Sequence, residues 1–192
     1  DTVYSAQKKG VVSTDLKYCN LNKDSDITIK GALVIPEGTV MTVQAGAELI
    51  IDNNAKVYVY GKLIIDGIDG AVAAGKITLT SGTVFVEGTV TLDGNLVMAN
   101  TTPDIAMVYV ADGGEFTVGD DGAFTTATNS VFFVDAGGEL EVYGSMGTVL
   151  YNSGSITIDS DVAVTPPTEI KMMSPGATRA PMRMIPFSSR SL

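Results

Sequence analysis

The sequence predicts an all-β chain wound as a parallel β-solenoid, of β-helix or β-arch form, and three observations carry that expectation. From about Ile27 to Val164, short runs rich in Val, Ile and Thr are punctuated by glycines, commonly about six to eight residues apart. This is strand periodicity, with Gly at bends that need φ > 0 or close backbone approach. No helical stripe of useful length competes with it. Parts of the chain also repeat one another at a constant offset, which is the sequence mark of stacked units.

In chain order, residues 1–26 are polar, hold Lys8, Lys9, Lys17, Lys23 and Cys19, and lack strand alternation, so they read as a cap or an arm. Residues 27–164 form the solenoid. Within it, "VYVADGGEFTV" (Val108 to Val118) aligns without gaps on "FFVDAGGELEV" (Phe132 to Val142) at an offset of 24, pairing Val110 with Val134, Glu115 with Glu139 and Val118 with Val142. Related units are "VYVYGKLIID" at Val57 to Asp66 and "VFVEGTVTLD" at Val84 to Asp93, and "VQAGAEL" at Val43 to Leu49 matches "VDAGGEL" at Val134 to Leu140. A period in the low to middle twenties suits one coil of two or three short strands, each coil burying inward aliphatics against the next about 4.8 Å away. A Greek-key sandwich gives its strands no reason to repeat at a fixed offset. From Thr165 on, Pro166, Pro167, Pro175, Pro181 and Pro186 cannot donate to a ladder, so regular strand is expected to end and residues 165–192 to form an extended basic tail.

Composition narrows the function. The 192 residues include 12 basic and 22 acidic side chains, no His, no Trp and one Cys. That length fits one domain with a real core. Without His there is no Ser-His-Asp or Cys-His catalysis, and a lone Cys makes neither a structural zinc site nor an internal disulfide. A net charge of -10 argues against nucleic acid and anionic membranes as partners. No apolar run reaches the length of a membrane span. The first residue is Asp1 rather than Met, as expected of a processed, exported chain.

The chemistry-bearing residues support assembly better than catalysis. Between Lys76 and Lys171 there is no basic residue but many acids, including Glu115, Asp120, Asp121, Asp135, Glu139 and Glu141; the tail then reverses sign with Lys171, Arg179, Arg183 and Arg190. Acids that merely keep an outer face soluble, with a free end, would look the same. The functional reading is that the tail of one subunit straps across the acidic coils of its neighbour, with Met172, Met173, Met182 and Met184 as adaptable apolar contacts. Cys19 is either an intermolecular cross-link or a buried free thiol. "NTT" at Asn100 is a candidate glycosylation acceptor. Asp120 and Asp121 in "GDDGA" read as a polar turn rather than a calcium site, since no Gly-Gly-x-Gly-x-Asp repeat is present. No cofactor is expected. Carboxylates without a cation across Ile77 to Ile170 make a lyase or hydrolase the least favoured reading. Tyr58, Tyr60, Phe85, Tyr109, Phe132, Phe133 and Tyr143 fall at corresponding places in successive units and are expected to stack as ladders, or, on an outer face, to bind sugar rings.

The stretch "GALVIPEGTVMTVQAGAELIIDNNAKVYVYGKLIIDG", Gly31 to Gly67, resembles the coil signature of parallel β-helix cell-surface proteins of bacteria and archaea. In overall character the chain is similar to amyloid-like β-arch sheath proteins of methanogenic archaea. The resemblance implies a solenoid and an extracellular, cell-surface location. A solenoid exposes unpaired strand backbone at each open end, and uncapped ends stack. The expected function is therefore a structural subunit, not an enzyme, that binds copies of itself to build a sheath, tube, layer or filament. The alternative is a monomeric adhesin or carbohydrate-binding module with cell-wall polysaccharide as partner. Polymerisation lost on removing residues 166–192 would mark the first, and retention on a polysaccharide gel the second.

Overall fold

A computed structural model of the chain describes residues 10–12, 16–17, 20–99, 105–127, 129–147, 149–162 and 169–172, with 10–12, 16–17, 149–150 and 169–172 described as backbone alone. Among these residues there are twenty strands and no helix, hence no helix long and apolar enough to cross a membrane. Sheet I holds β1 (Gly10–Val12), β3 (Asp26–Ile29), β6 (Glu48–Ile51), β9 (Lys76–Leu79), β12 (Asn95–Met98) and β15 (Ala123–Thr126). Sheet II holds β2 (Leu16–Lys17), β4 (Ala32–Ile35), β7 (Ala55–Val59), β10 (Gly82–Val86), β13 (Ala106–Val110), β16 (Ser130–Val134), β18 (Val149–Asn152) and β20 (Glu169–Met172). Sheet III holds β5 (Val40–Val43), β8 (Lys62–Ile65), β11 (Thr89–Leu92), β14 (Glu115–Val118), β17 (Glu139–Val142) and β19 (Ser155–Ile158). Every pairing between these strands is parallel, and the chain visits sheets I, II and III in turn, so β3 to β17 wind five three-strand coils of a β-solenoid.

Period-two alternation drives this winding. In β7 the pattern Ala55-Lys56-Val57-Tyr58-Val59 puts Ala55, Val57 and Val59 inside and Lys56 and Tyr58 outside, and the same inward–outward alternation runs through β10, β13 and β16. Stacking the inward positions buries a continuous apolar column that includes Leu33, Val57, Val84, Val108 and Phe132. Near the C-terminal coils the interior widens its residues to Phe116, Phe124 and Phe132, with Phe116 edge-on to Phe132 and Phe124 stacked on it at 4.9 Å.

The repeat seen in the sequence is the register of the sheets. Val110 pairs with Val134, Glu115 with Glu139 and Val118 with Val142, as the offset of 24 requires. Val57 likewise pairs with Val84, and Leu63 with Val90. The shorter match of "VQAGAEL" to "VDAGGEL" has another origin. Val43 and Leu49 flank the corner from sheet III to sheet I, whereas Val134 and Leu140 flank the corner from sheet II to sheet III. What the two segments share is a bend: Gly46 and Gly137 both have positive φ, and Ala47 N–H donates to Gln44 O as Gly138 N–H donates to Asp135 O, each at 2.9 Å.

Two terminal features depart from expectation. The segment read as lacking strands contributes β1 on β3 and β2 on β4, and Leu21 then joins β5, its N–H donating to Thr42 O at 2.8 Å and its O accepting from Gln44 N–H at 2.9 Å. The part of the chain past Thr165 also holds a strand, β20, on β18. Glu169–Met172 lies in the proline-free interval between Pro167 and Pro175, so each residue keeps its ladder donor.

Candidate functional site: the aromatic face of sheet II

The outer surface of sheet II is built by two columns of outward residues. One runs Val34, Tyr58, Phe85, Tyr109, Phe133 and Tyr151, each in register with the next. The other runs Ala32, Lys56, Thr83, Met107 and Val131. Strand spacing near 4.8 Å brings aromatic rings on neighbouring coils into stacking range. Tyr58 and Phe85 lie 5.2 Å apart with planes 8° from parallel, and Tyr109 and Phe133 lie 5.2 Å apart at 2°. Phe85 and Tyr109 are 6.1 Å apart and tilted by 58°. Parallel rings stacked along the solenoid spend their faces on one another and leave their edges toward solvent. Each such pair adds about 0.5–1.5 kcal/mol beyond burial.

The ladder is narrower than the sequence suggested. Phe132 is fully buried, because it neighbours Phe133 and so points the other way. Tyr60 and Tyr143 stand at corners just beyond β7 and β17, each 42% exposed. Tyr60 extends the face at its edge, stacked on Tyr58 at 6.2 Å.

Charge is distributed unevenly over the three faces. From Ala32 to Tyr151 the outward columns of sheet II carry no carboxylate, and Lys56 is their one charged group. Sheet III presents Lys62, Glu115, Glu139 and Glu141 outward, and sheet I presents Asp26, Glu48 and Lys76. On sheet I, Lys76 meets Glu48 at 3.0 Å, with the Thr78 hydroxyl donating to the same carboxylate at 2.5 Å. Burial pushes Glu48 upward, but the Thr78 and Lys76 hydrogen bonds and the Lys76 charge outweigh it and hold the carboxyl below its ordinary value.

The aromatic face has two different rims. Glu37, Glu87, Asp112 and Asp135 line the corner toward sheet III. Lys30, with Asp52 at 4.0 Å, lies along the corner from sheet I, next to Lys56. Asp135 is tied to the ladder itself. The Tyr109 hydroxyl donates to its carboxylate, the Ala136 N–H donates at 2.8 Å and the Ser153 hydroxyl at 3.4 Å. The hydrogen bond to Asp135, then burial and the Asp135 charge, push Tyr109 up to about 12.

The residues singled out for assembly are placed only in part. Lys171 and Met172 stand in β20, opposite Tyr151 and Asn152 of β18, so the chain's own sheet II carries them. Cys19, Met173, Arg179, Arg183 and Arg190 lie outside the described residues, as do Met182, Met184 and Asn100. Asp120 and Asp121 are exposed in the bend between β14 and β15, which Gly122 N–H closes onto Gly119 O at 2.9 Å. Among the described residues no three His, Cys, Asp or Glu side chains group to hold a metal ion. The carboxylate-free face of sheet II escaped sequence reading, although its signal was present at alternate positions of the repeat, in Tyr58, Phe85, Tyr109 and Phe133.

No family model matches the chain, and no curated protein matches it. Among solved structures it is similar to the crystal structure described as the TibC-catalyzed hyper-glycosylated TibA55-350 fragment, at 16% identity, covering 79% of each chain, with a TM-score of 0.22.

Proposed function

We propose that this chain is a structural β-solenoid that associates with copies of itself in a cell-surface layer, sheath, tube or filament, and that it performs no catalytic step. The observation that carries this reading is the face of sheet II: in a chain of net charge -10, the outward columns of that sheet hold five aromatic rings and no carboxylate from Ala32 to Tyr151. A solvated face has no need of such a composition, and contiguous apolar surface on a folded chain marks an interaction site. Flat solenoid sheets present regular columns that pack face to face about 10 Å apart. Glycan binding draws less support from the same geometry, because sugar rings stack on aromatic faces and the ladder has turned those faces inward along its own axis.

The test is sedimentation velocity with negative-stain electron microscopy on the full chain at neutral pH without reductant. Association that grows with concentration, and that is lost when Met107→Lys and Val131→Lys place charges on the face, is the expected result. A chain that stays monomeric up to about 100 μM overturns the reading. A monomer that is also retained by a polysaccharide gel would be a binding module instead.

A further inference from the structure

The two rims of the aromatic face differ in sign, and that difference selects how two copies meet. Among the described residues the corner toward sheet III carries Glu37, Glu87, Asp112 and Asp135 and no cation. Among the described residues the opposite side carries Lys30 at the corner from sheet I and Lys56 in the outward column beside it, against the carboxylate of Asp52. Two identical faces related by a two-fold axis in the plane between them can meet in two ways. With the axis parallel to the solenoid axis, the coils of both copies stay level and their strands run in opposite directions. The corner toward sheet III of each copy then lies over the corner from sheet I of the other, which puts Lys30 level with Glu37 on the first coil and Lys56, on the second, at a height between Glu37 and Glu87. With the axis along the strands, the solenoids point in opposite directions and acidic rim meets acidic rim. Like-charge juxtaposition suppresses the wrong arrangement, and complementary potential sets register.

Resting on the self-association proposed above, we infer that the partner of sheet II is a second copy of this chain, packed face to face with its solenoid axis parallel, and that Lys30 and Lys56 opposite the Glu37 and Glu87 rim fix that orientation. The aromatic and aliphatic columns supply the contact area, while the rims choose between the two symmetric solutions. By symmetry each rim contact occurs twice per pair.

All four rim residues named are exposed, so replacing them leaves the core untouched. The experiment measures the pairing constant of the full chain by sedimentation equilibrium at low salt, with circular dichroism as a check on folding. Lys30→Glu with Lys56→Glu should weaken pairing about tenfold. Adding Glu37→Lys and Glu87→Lys to that variant should restore pairing to within about threefold of the natural chain. Unchanged or tighter pairing in the Lys30→Glu, Lys56→Glu variant overturns the parallel orientation while leaving self-association standing, as does a weakening that the fourfold exchange does not repair. A natural chain that never pairs overturns both.

Discussion

Tyr109 and Asp135 belong to successive coils, and the hydroxyl of the first donates to the carboxylate of the second. The same contact raises one group and lowers the other: Tyr109 stands at about 12, and Asp135 is held below its ordinary value by the Tyr109 hydroxyl first and the Ala136 N–H second. A tyrosine whose folded value is raised contributes stability that is complete below its ordinary value near 10 and disappears as pH rises through 12. Asp135 acts at the other end of the scale, contributing above the ordinary carboxylate range and losing that contribution as pH falls through its folded value. Tyr109→Phe keeps the ring on Phe133 and removes the hydroxyl. It should cost about 1 kcal/mol at pH 7 in urea unfolding, and the ultraviolet titration should lose its component near 12. A variant as stable as the natural chain would show that the contact contributes nothing in water.

Glycine substitutions should separate close approach from backbone conformation. A Cβ on Gly88 would lie 2.1 Å from the Gly61 carbonyl oxygen and 2.5 Å from that of Tyr60, where the coils meet backbone to backbone. Gly88→Ala should therefore destabilise by about 3 kcal/mol or more, since neither oxygen can move without breaking the stack. Gly113 has φ +77° and open space around it. Gly113→Ala then meets only the left-handed backbone penalty, roughly 1 kcal/mol. Thermal unfolding of the two variants side by side tests the contrast; equal losses would remove close packing as the reason for glycine at the Gly88 corner.

Much of this fold was legible because stacking turns sequence similarity into spatial register. Val110 above Val134 and Glu115 above Glu139 could be read from the residues alone, since equal coils put equal residues side by side. Legibility fails where coils are unequal. The segment between β8 and β9 runs out through Gly67 to Gly75 and returns so that Val72 packs at Gly46, which lengthens that coil without changing its core. The next-to-last coil is shortened instead: Ser145 makes one bridge to Ala123 in place of a strand, and buried Met146 fills the space. Candidate site residues were harder to see, because function there lies in what one face lacks. Counting acids along the chain finds a uniformly acidic middle; the order of strands sorts Glu115, Glu139 and Glu141 to sheet III and away from sheet II, and the alternation of side chains then turns them outward.

Phe132 and Phe133 offer a test of that sorting within one dipeptide. Phe132 is fully buried, edge-on to Phe116 and stacked near Phe124, while Phe133 lies outside on Tyr109. Phe132→Ala removes a ring from an interior that cannot collapse onto it and should cost about 3–5 kcal/mol. Phe133→Ala loses one stacked partner and a partly exposed surface, which should cost about 1–2 kcal/mol. Urea unfolding of both variants measures the difference, and a reversed order would place the wrong ring inside.

Acidic groups also stack where the chain turns from sheet III toward sheet I. Ile65 and Leu92 pair across adjacent coils, and Asp66 and Asp93 follow them directly in the chain. Burial first, and then the charges of Asp93 and Asp69, push the Asp66 carboxyl above its ordinary value. The folded chain therefore holds this proton more tightly than the unfolded chain does, so the contribution of Asp66 is complete below the ordinary carboxylate range and is lost as pH rises through the folded value. At pH 7 the ionised group works against folding, modestly because it is partly solvated. Asp66→Asn should match the natural chain in acid, where both side chains are neutral, and exceed it at pH 7 by less than about 1 kcal/mol. Urea unfolding of the pair at pH 3 and pH 7 checks the sign, and a variant that is less stable at pH 7 would mean that Asp66 accepts stabilising contacts that outweigh the repulsion from Asp93.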